Sequence, residues 1–375
     1  MTSFVARRDR IRKQFRKLGI DALLVTNPVN VRYLTGFTGS SGWLLLKSGS
    51  DCLLSDPRFT LQIEEECPGL NTVINPRHIR KAKILQENLV NRKGLSCTEK
   101  HKLGIESASM TLSEKDLLFK DLPNCEAVLT KGVVENFRAV KDRDEIKNIR
   151  KAVDIAYTAF QVIQEYLRKK GGQIETETKV RNYLELMMLE IGAEDRSFNT
   201  IVGAGARAAL PHGVPSGQKI TGQSHLLIDW GCCYRGYMSD LTRVLIFDKS
   251  DKQLRKIYET VLKANEAAIE AIQPGKTCEE IDAVATKILK KSGLVKEAAH
   301  ALGHSVGLEI HEDPRFAPGF KTVLEPGMVL TVEPGIYIAG FGGVRIEDDI
   351  VVTKTGCDVL SKDVPKQFDE MIVEI

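Results

Sequence analysis

No stretch of this sequence approaches the ~20 consecutive apolar residues needed to span a bilayer, and mean hydropathy is −0.16. Neither sign of charge is in excess: 53 Lys and Arg stand against 50 Asp and Glu, a net of +3. The chain therefore lacks the basic field of a general nucleic-acid binder. None of its eight cysteines (Cys52, Cys67, Cys97, Cys125, Cys232, Cys233, Cys278, Cys357) forms a C-x-x-C pair. A structural zinc site is not indicated, and the thiols read as reduced core residues of a cytoplasmic protein. No apolar region follows the Arg- and Lys-rich start, so a secretory signal is not expected. Residues 6–17 imitate a basic mitochondrial presequence. They lack Ser enrichment and contain Asp9, and are read as a plain first helix. No repeat and no low-complexity segment is visible.

What is present is an ordinary globular composition, 42% hydrophobic and 27% charged. A length of 375 residues predicts two domains. In the first third, 22–26 (ALLVT), 43–46, 52–54 and 103–105 read as strands. They are separated by Asn27-Pro28, by Gly39 to Gly42 and by Ser48 to Ser50, with a helix near 80–91. The charge-rich 138–147 opens a long helix whose Ile146, Ile149, Val153, Tyr157, Phe160 and Ile163 recur at helical spacing. The boundary is placed there, giving domains 1–137 and 138–375. The second domain shows a helix at 175–190 and two capping-box starts, Ser250-x-x-Gln253 and Thr277-x-x-Glu280, with Gly293 as a stop. Its strands are predicted at 225–230, 242–247, 328–332 and 343–352.

Those strands carry acidic residues where apolar ones belong: Asp229, Asp240, Glu333 and Glu347. A carboxylate buried in a sheet costs several kcal/mol unless it is paired or binds metal. Each has a bland alternative. Asp240 could pair locally with Arg243, Glu347-Asp348-Asp349 could be a solvated edge, and a lone His304 could be a core histidine. Side-chain alternation, however, puts Arg345, Glu347 and Asp349 on one face and pairs Thr331 with Glu333 on another. A hairpin would bring Asp229 to Asp240. His300, His304 and His311 offer nitrogen ligands, and there is no H-E-x-x-H. The donor set is hard and oxygen-rich. It favours Mn2+, Co2+ or Fe2+ over a thiolate-type zinc centre, with two ions about 3.5–4 Å apart activating one water.

Asp229-Trp230-Gly231, Asp240-Leu241-Thr242-Arg243, Gly303-His304, His311-Glu312, Glu333-Pro334-Gly335 and Arg345-Ile346-Glu347-Asp348 resemble the ordered motifs of the pita-bread (creatinase/aminopeptidase) metallopeptidases. Pro211-His212-Gly213 is similar to their upstream histidine motif. Residues 30–42 and 56–59 resemble the N-terminal domain of Xaa-Pro aminopeptidases and Xaa-Pro dipeptidases. The resemblance implies an α/β (α+β) chain, with a creatinase-type N-terminal domain before a pita-bread catalytic domain. It implies two divalent ions, Mn2+ first, with Co2+, Fe2+ or Zn2+ as alternatives. Asp229 would bind one ion, Asp240 and Glu347 would bridge, and His304 and Glu333 would complete the other site. Glu333 would also move the proton during attack on the carbonyl before proline. His212 and His311 would orient substrate and stabilise the oxyanion. His300, Arg315 and Arg345 would serve the substrate. Where the family usually has Gly, this chain has Ala301 and often-Gly Ser305, which implies altered fit rather than lost chemistry.

The expected activity is Xaa-Pro aminopeptidase, with Xaa-Pro dipeptidase (prolidase) as the alternative. The expected partner is a peptide with proline second, with no nucleic acid and no membrane, for a cytoplasmic homodimer. A non-catalytic pita-bread binding module and metal-free creatinase-like hydrolysis rank lower, because both typically lose ligands that are all present here. Gly203-x-Gly205-x-x-Ala208 runs into Pro211 rather than a helix, so it is not read as a dinucleotide site. Residues 36–42 read as a turn before the 43–46 strand in preference to a phosphate cradle, with the alternative that they cover a neighbouring subunit's site in a homodimer.

Overall fold

The computed structural model describes residues 4–75, 83, 85, 87, 100–170, 175–294, 298 and 300–374. They form two compact units, Met1–Arg138 and Ala139–Ile375. The helix expected near 80–91 and Cys97 lie essentially outside the described residues. The seven described cysteines are free thiols. Among the described residues, no helix is long and apolar enough to cross a membrane.

The first unit is built on a six-stranded sheet in the order Thr72–Ile74, Ser50–Ser55, Gly42–Lys47, Ala22–Val25, His101–Glu106, Cys125–Thr130. The short apolar runs seen in sequence are its central strands, buried among Leu24, Leu45, Leu54, Leu103 and Ile105. The basic Phe4–Arg12 helix turns two of its four arginines, Arg7 and Arg8, inward beside Ile11. Arg7 and Arg8 donate to the Tyr33 and Leu34 carbonyls at the end of the Pro28–Thr35 helix, and Arg8 also pairs with Asp51 at 2.7 Å. Guanidinium groups there satisfy carbonyls that a helix C-terminus leaves open.

In the second unit, the long amphipathic helix runs over Arg143–Lys170. It starts five residues later than its charge-rich lead-in suggested, because 140–141 pairs instead with Met328 and Gly327. Its apolar stripe (Ile149, Val153, Phe160, Ile163) is buried. The helices Glu177–Ile191, Lys252–Ala271 and Cys278–Ser292 follow. Thr277 and Glu280 form the expected capping box, and Gly293 ends that helix at φ +79°. The Ser250 box does not form. Asp251 caps Gln253 and Leu254 instead, while Ser250 bonds Asp248, a carboxylate being the stronger acceptor for helix N–H groups.

Two sheets position the candidate site. One has the order Leu241–Ile246, His225–Trp230, Ile201–Ala204; the other Glu312–Phe316, Gly303–Ser305, Val329–Val332, Asp348–Val352, Cys357–Val359. The predicted continuous strand 343–352 is broken. Gly342–Arg345 pairs with Gly335–Ile338, Asp348–Val352 joins the five-stranded sheet, and Glu347 bridges from the break to Thr242. Asp229 and Asp240 do meet through an antiparallel pair, but the connection folds into its own hairpin, Cys232–Tyr234 with Tyr237–Met238.

Candidate metal centre

Strand alternation turns Asp229 and Trp230 to opposite sides. The Trp230 ring stacks on Phe160 at 4.5 Å and its Nε1 donates to the Ala156 carbonyl, which anchors the strand to the long helix. Asp229 is left facing a cavity of about 750 Å³. Gly231 follows because a Cβ there would lie 1.9 Å from the Ser239 carbonyl oxygen. On the paired strand, Thr242 faces the site and Arg243 faces away. Arg243 does not pair with Asp240. It donates to the Glu347 carbonyl at 2.6 Å and to Asp348 Oδ1 at 2.8 Å, fixing the break that carries Glu347. Asp348 is fully buried, which would raise its pKa, yet the Arg243 and Lys366 charges hold it at about 2. The run 347–349 is thus a buried strand start and not a solvated edge.

From the second sheet come His304 and Glu333. Gly303 lets their strands close up, since a Cβ would meet the Thr331 carbonyl oxygen at 2.1 Å. The Glu333 N–H donates to the Leu302 carbonyl at 2.8 Å. Ser305, at an often-glycine position, uses its hydroxyl. It donates to the Val329 carbonyl and accepts from the buried Lys141 Nζ at 2.8 Å, and Lys141 also pairs with Glu312 at 3.1 Å.

Ligand atoms of Asp240, His304 and Glu347 all lie within 4.8 Å of one another, and all three residues are buried. His304 Nε2 is 3.6 Å from Asp240 Oδ2 and 3.5 Å from Glu333 Oε1. Asp229 stands at the margin of this group. Its Oδ2 pairs with Arg345 Nη2, and its buried Oδ1 has no hydrogen-bond partner. The same cavity is lined by His212, His300, His311, Arg315 and Arg345. All ten residues singled out in the sequence therefore border one space.

The electrostatics of this cluster disfavour bare carboxylates and favour either retained protons or a bound cation. Burial drives the Asp240 carboxyl far above its ordinary range, and the neighbouring Glu347, Asp229, Glu333 and Asp349 add to the effect. Glu347 rises for the same reasons, with Glu333 and Asp229 pressing on it. Glu333 reaches about 8, burial outweighing the opposing Arg345 charge. Burial, with His311 alongside, lowers His304 to about 4. Its Nδ1–H donates to the Ser305 carbonyl at 3.1 Å, so the neutral ring turns Nε2, a lone-pair donor, toward the carboxylates. Hard oxygen donors, one imidazole, an orphaned carboxylate oxygen and a shortage of positive charge fit divalent cations.

Arg345 lies inside the cluster. Its Nε donates to Thr242 Oγ1 at 2.9 Å, Nη1 to the Tyr337 hydroxyl at 2.5 Å and Nη2 to Asp229. Thr242 Oγ1 donates on to Glu347 Oε2 at 2.6 Å. His300 is also engaged at both nitrogens. Nδ1 donates to the Ala301 carbonyl at 2.8 Å, and Nε2 accepts from Tyr337 at 2.8 Å. His311 is exposed, its ring 4.4 Å from that of His304, and Arg315 sits opposite His304 in the strand pair with half its side chain exposed. Sequence reasoning missed Tyr337 and Thr242 as the groups that tie these residues together. It placed Asp349 on the correct face without giving it a part, and Asp349 Oδ2 accepts from the Asp240 N–H at 3.0 Å. The apolar lining by Phe198, Val214 and Ile310 had no sequence signal.

Comparison with known proteins agrees with this geometry. Residues 147–354 match metallopeptidase family M24, and residues 7–140 match the creatinase/prolidase N-terminal domain. The chain is 37% identical over 345 residues to an Xaa-Pro dipeptidase of Pyrococcus furiosus, covering 92% of this chain and 94% of that one. A solved Xaa-Pro dipeptidase from Bacillus anthracis superposes with a TM-score of 0.90 at 36% identity, covering 98% and 99% of the two chains. An X-Pro aminopeptidase from Thermotoga maritima superposes at 0.85 with 30% identity, covering 97% and 100%. The protein belongs to metallopeptidase family M24, with a creatinase-type N-terminal domain followed in sequence by a pita-bread catalytic domain.

Proposed function

We propose that this metallopeptidase hydrolyses the bond between an N-terminal residue and proline, with free Xaa-Pro dipeptides as its main substrates. The observation that carries the reading is the buried Asp240, His304 and Glu347 group with Glu333 at 3.5 Å, open to a cavity edged by exposed histidines and Arg315. Asp229, Asp240, His304, Glu333 and Glu347 would hold two divalent ions, Mn2+ by the hardness of the donors, with Co2+, Fe2+ or Zn2+ as competitors. Such ions supply Lewis acidity, which lowers the pKa of water and polarises a carbonyl.

The chain's own groups do the rest. Glu333 takes the proton of the attacking water and passes it to the departing proline nitrogen. His311 and His212 donate hydrogen bonds to the developing oxyanion. Arg345 fixes Asp229 and Tyr337. His300, its ring held by Ala301 and Tyr337, forms the wall beside proline. Arg315 keeps its guanidinium accessible and takes the proline carboxylate, a match of planar fork to carboxylate. That cation, together with the dipeptidase relatives, moves the dipeptide ahead of the longer peptide that the sequence alone put first.

The aminopeptidase reading keeps one specific support. A cavity of about 750 Å³ is within the usual 300–1,000 Å³ of drug-sized ligand sites and leaves room beyond proline. Hydrolysis of Ala-Pro and Ala-Pro-Ala by Mn2+-loaded protein separates the two. The proposal predicts the higher kcat/KM on Ala-Pro; preference for Ala-Pro-Ala supports the aminopeptidase, and cleavage of neither refutes Xaa-Pro specificity. The proposal includes a cytoplasmic homodimer, an expectation that rests on the sequence resemblance; sedimentation at the mass of a single chain contradicts the dimer.

A further inference from the structure

We infer that Glu177 is a positioning residue for His212, acting as a carboxylate clamp that closes both ends of the segment carrying it. The inference rests on the proposed role of His212 at the substrate. Glu177 is the first residue of the Glu177–Ile191 helix and is fully buried. Its Oε1 accepts from the Ala204 N–H at 2.9 Å and from Arg207 Nε at 3.0 Å. Its Oε2 accepts from Arg207 Nε at 2.9 Å, from the Ser216 N–H at 2.9 Å and from the Ser216 hydroxyl at 2.7 Å. Arg207 Nη2 then crosses the segment to the Val214 carbonyl at 2.8 Å. The backbone of the same helix start adds two bonds, Glu177 N–H to the Gln218 carbonyl and Thr178 N–H to the Ser216 carbonyl.

The clamped segment, 204–216, has little structure of its own. A 3-10 turn over Gly205–Ala209, the Leu210 to Arg207 bond that ends it and a Gly213 to Leu210 bond are its internal backbone supports in the stretch leading to the tip. His212 and Val214 sit at that exposed tip and still line the cavity with Asp229 and His304. With Leu210, His212 and Val214 all exposed at the tip, polar bonds at its base set where His212 stands. Every group meeting Glu177 is a donor, so only an anion with two acceptor oxygens satisfies them all. Glu177→Gln keeps one acceptor oxygen and turns an NH2 donor toward donors.

The test uses full-length Mn2+-loaded protein with two readouts. In hydrogen exchange by mass spectrometry, E177Q is expected to speed exchange across 204–216 at least about tenfold while 303–305 and 329–332 stay unchanged. On Ala-Pro, E177Q is expected to lose about tenfold to a hundredfold in kcat/KM, the scale of a misplaced catalytic group. In an H212A background the same substitution is expected to cost less than about threefold, because the group it positions is gone. Unchanged exchange overturns the clamp. An equal loss with and without His212, or an H212A variant at the wild-type rate, overturns the positioning role. If E177Q does not fold, R207M removes half of the clamp from a less buried side chain and is judged by the same criteria. Failure of wild-type protein to cleave Ala-Pro refutes the proposed function itself and the positioning role with it, while the exchange readout still reports whether the clamp holds the segment.

Discussion

Removing divalent metal should make this protein less stable as pH rises through neutrality, the reverse of ordinary acid destabilisation. The cause is the crowd of buried carboxyls. The carboxyl of Glu333 is held at about 8 by burial, against 4.5 when free, and Asp240, Glu347 and Asp349 are held far above their ordinary range. A carboxyl whose folded pKa exceeds its unfolded pKa contributes stability that is complete below the unfolded value and is lost as pH climbs through the folded one. Histidines act the opposite way. His225, His300 and His304, lowered to about 4 by burial, cost stability only as pH falls below about 6.5. The raised thiol of Cys232 matters only above the ordinary thiol range, near 9.0. The interval from about pH 6.5 to 8 therefore isolates the carboxyls. Each carboxyl that keeps its proton across it loses about 1.4 kcal/mol per pH unit, or about 2 kcal/mol in all. For a unit the size of Ala139–Ile375 that lowers Tm by roughly 4–8 °C per carboxyl. Thermal melts in chelator at stepped pH measure this directly. Saturating Mn2+ should raise Tm and remove the decline, because metal replaces the protons and binds more tightly as pH rises. A metal-free Tm that is flat or rising from pH 6.5 to 8 would refute the assignment of these carboxyls to an uncompensated cluster.

The other expectations concern single residues. Asp240→Ala and Glu347→Ala should each cut kcat on Ala-Pro by at least about a hundredfold, the scale of losing a group that stabilises developing charge; wild-type rates in both contradict the site. Arg315→Ala should raise KM for Ala-Pro about tenfold and leave Ala-Pro-amide nearly unchanged, a difference of about 1.4 kcal/mol, and equal effects on both substrates argue against carboxylate recognition. Lys141→Met should destabilise the protein by about 3–5 kcal/mol in denaturant titration, because it strips a buried ammonium from Glu312 and Ser305; a change under about 1 kcal/mol contradicts a structural role for that pair.

Much of the site was legible because buried charge violates strand patterning. Asp229 in an otherwise apolar strand, and Glu333 and Glu347 at strand ends, stand out for the cost of placing them there. Period-two alternation correctly put Asp349 beside Glu347, although the strand itself is broken between Arg345 and Asp348. That break was invisible because local residues do not cause it. Arg243, from a strand a hundred residues earlier, holds the Glu347 carbonyl and the Asp348 carboxylate apart from the first strand. The long-helix start was misread for a similar reason, with Val140 captured by Met328. Ser250 resembled a cap but lost to Asp251, a competition between neighbours that spacing does not rank. Tyr337, Thr242 and Glu177 gave no signal, since a polar residue's partner is decided by tertiary packing. Their neighbours in sequence say nothing about Arg345 or Arg207.

The most direct test of the whole account is the metal content of the purified chain after reconstitution with Mn2+ and removal of excess ion. Two tightly held ions per chain are expected in the wild-type protein, and both should be lost in a variant carrying Asp240→Ala with Glu347→Ala. A wild-type chain that retains none, or a double variant that retains two, would contradict it.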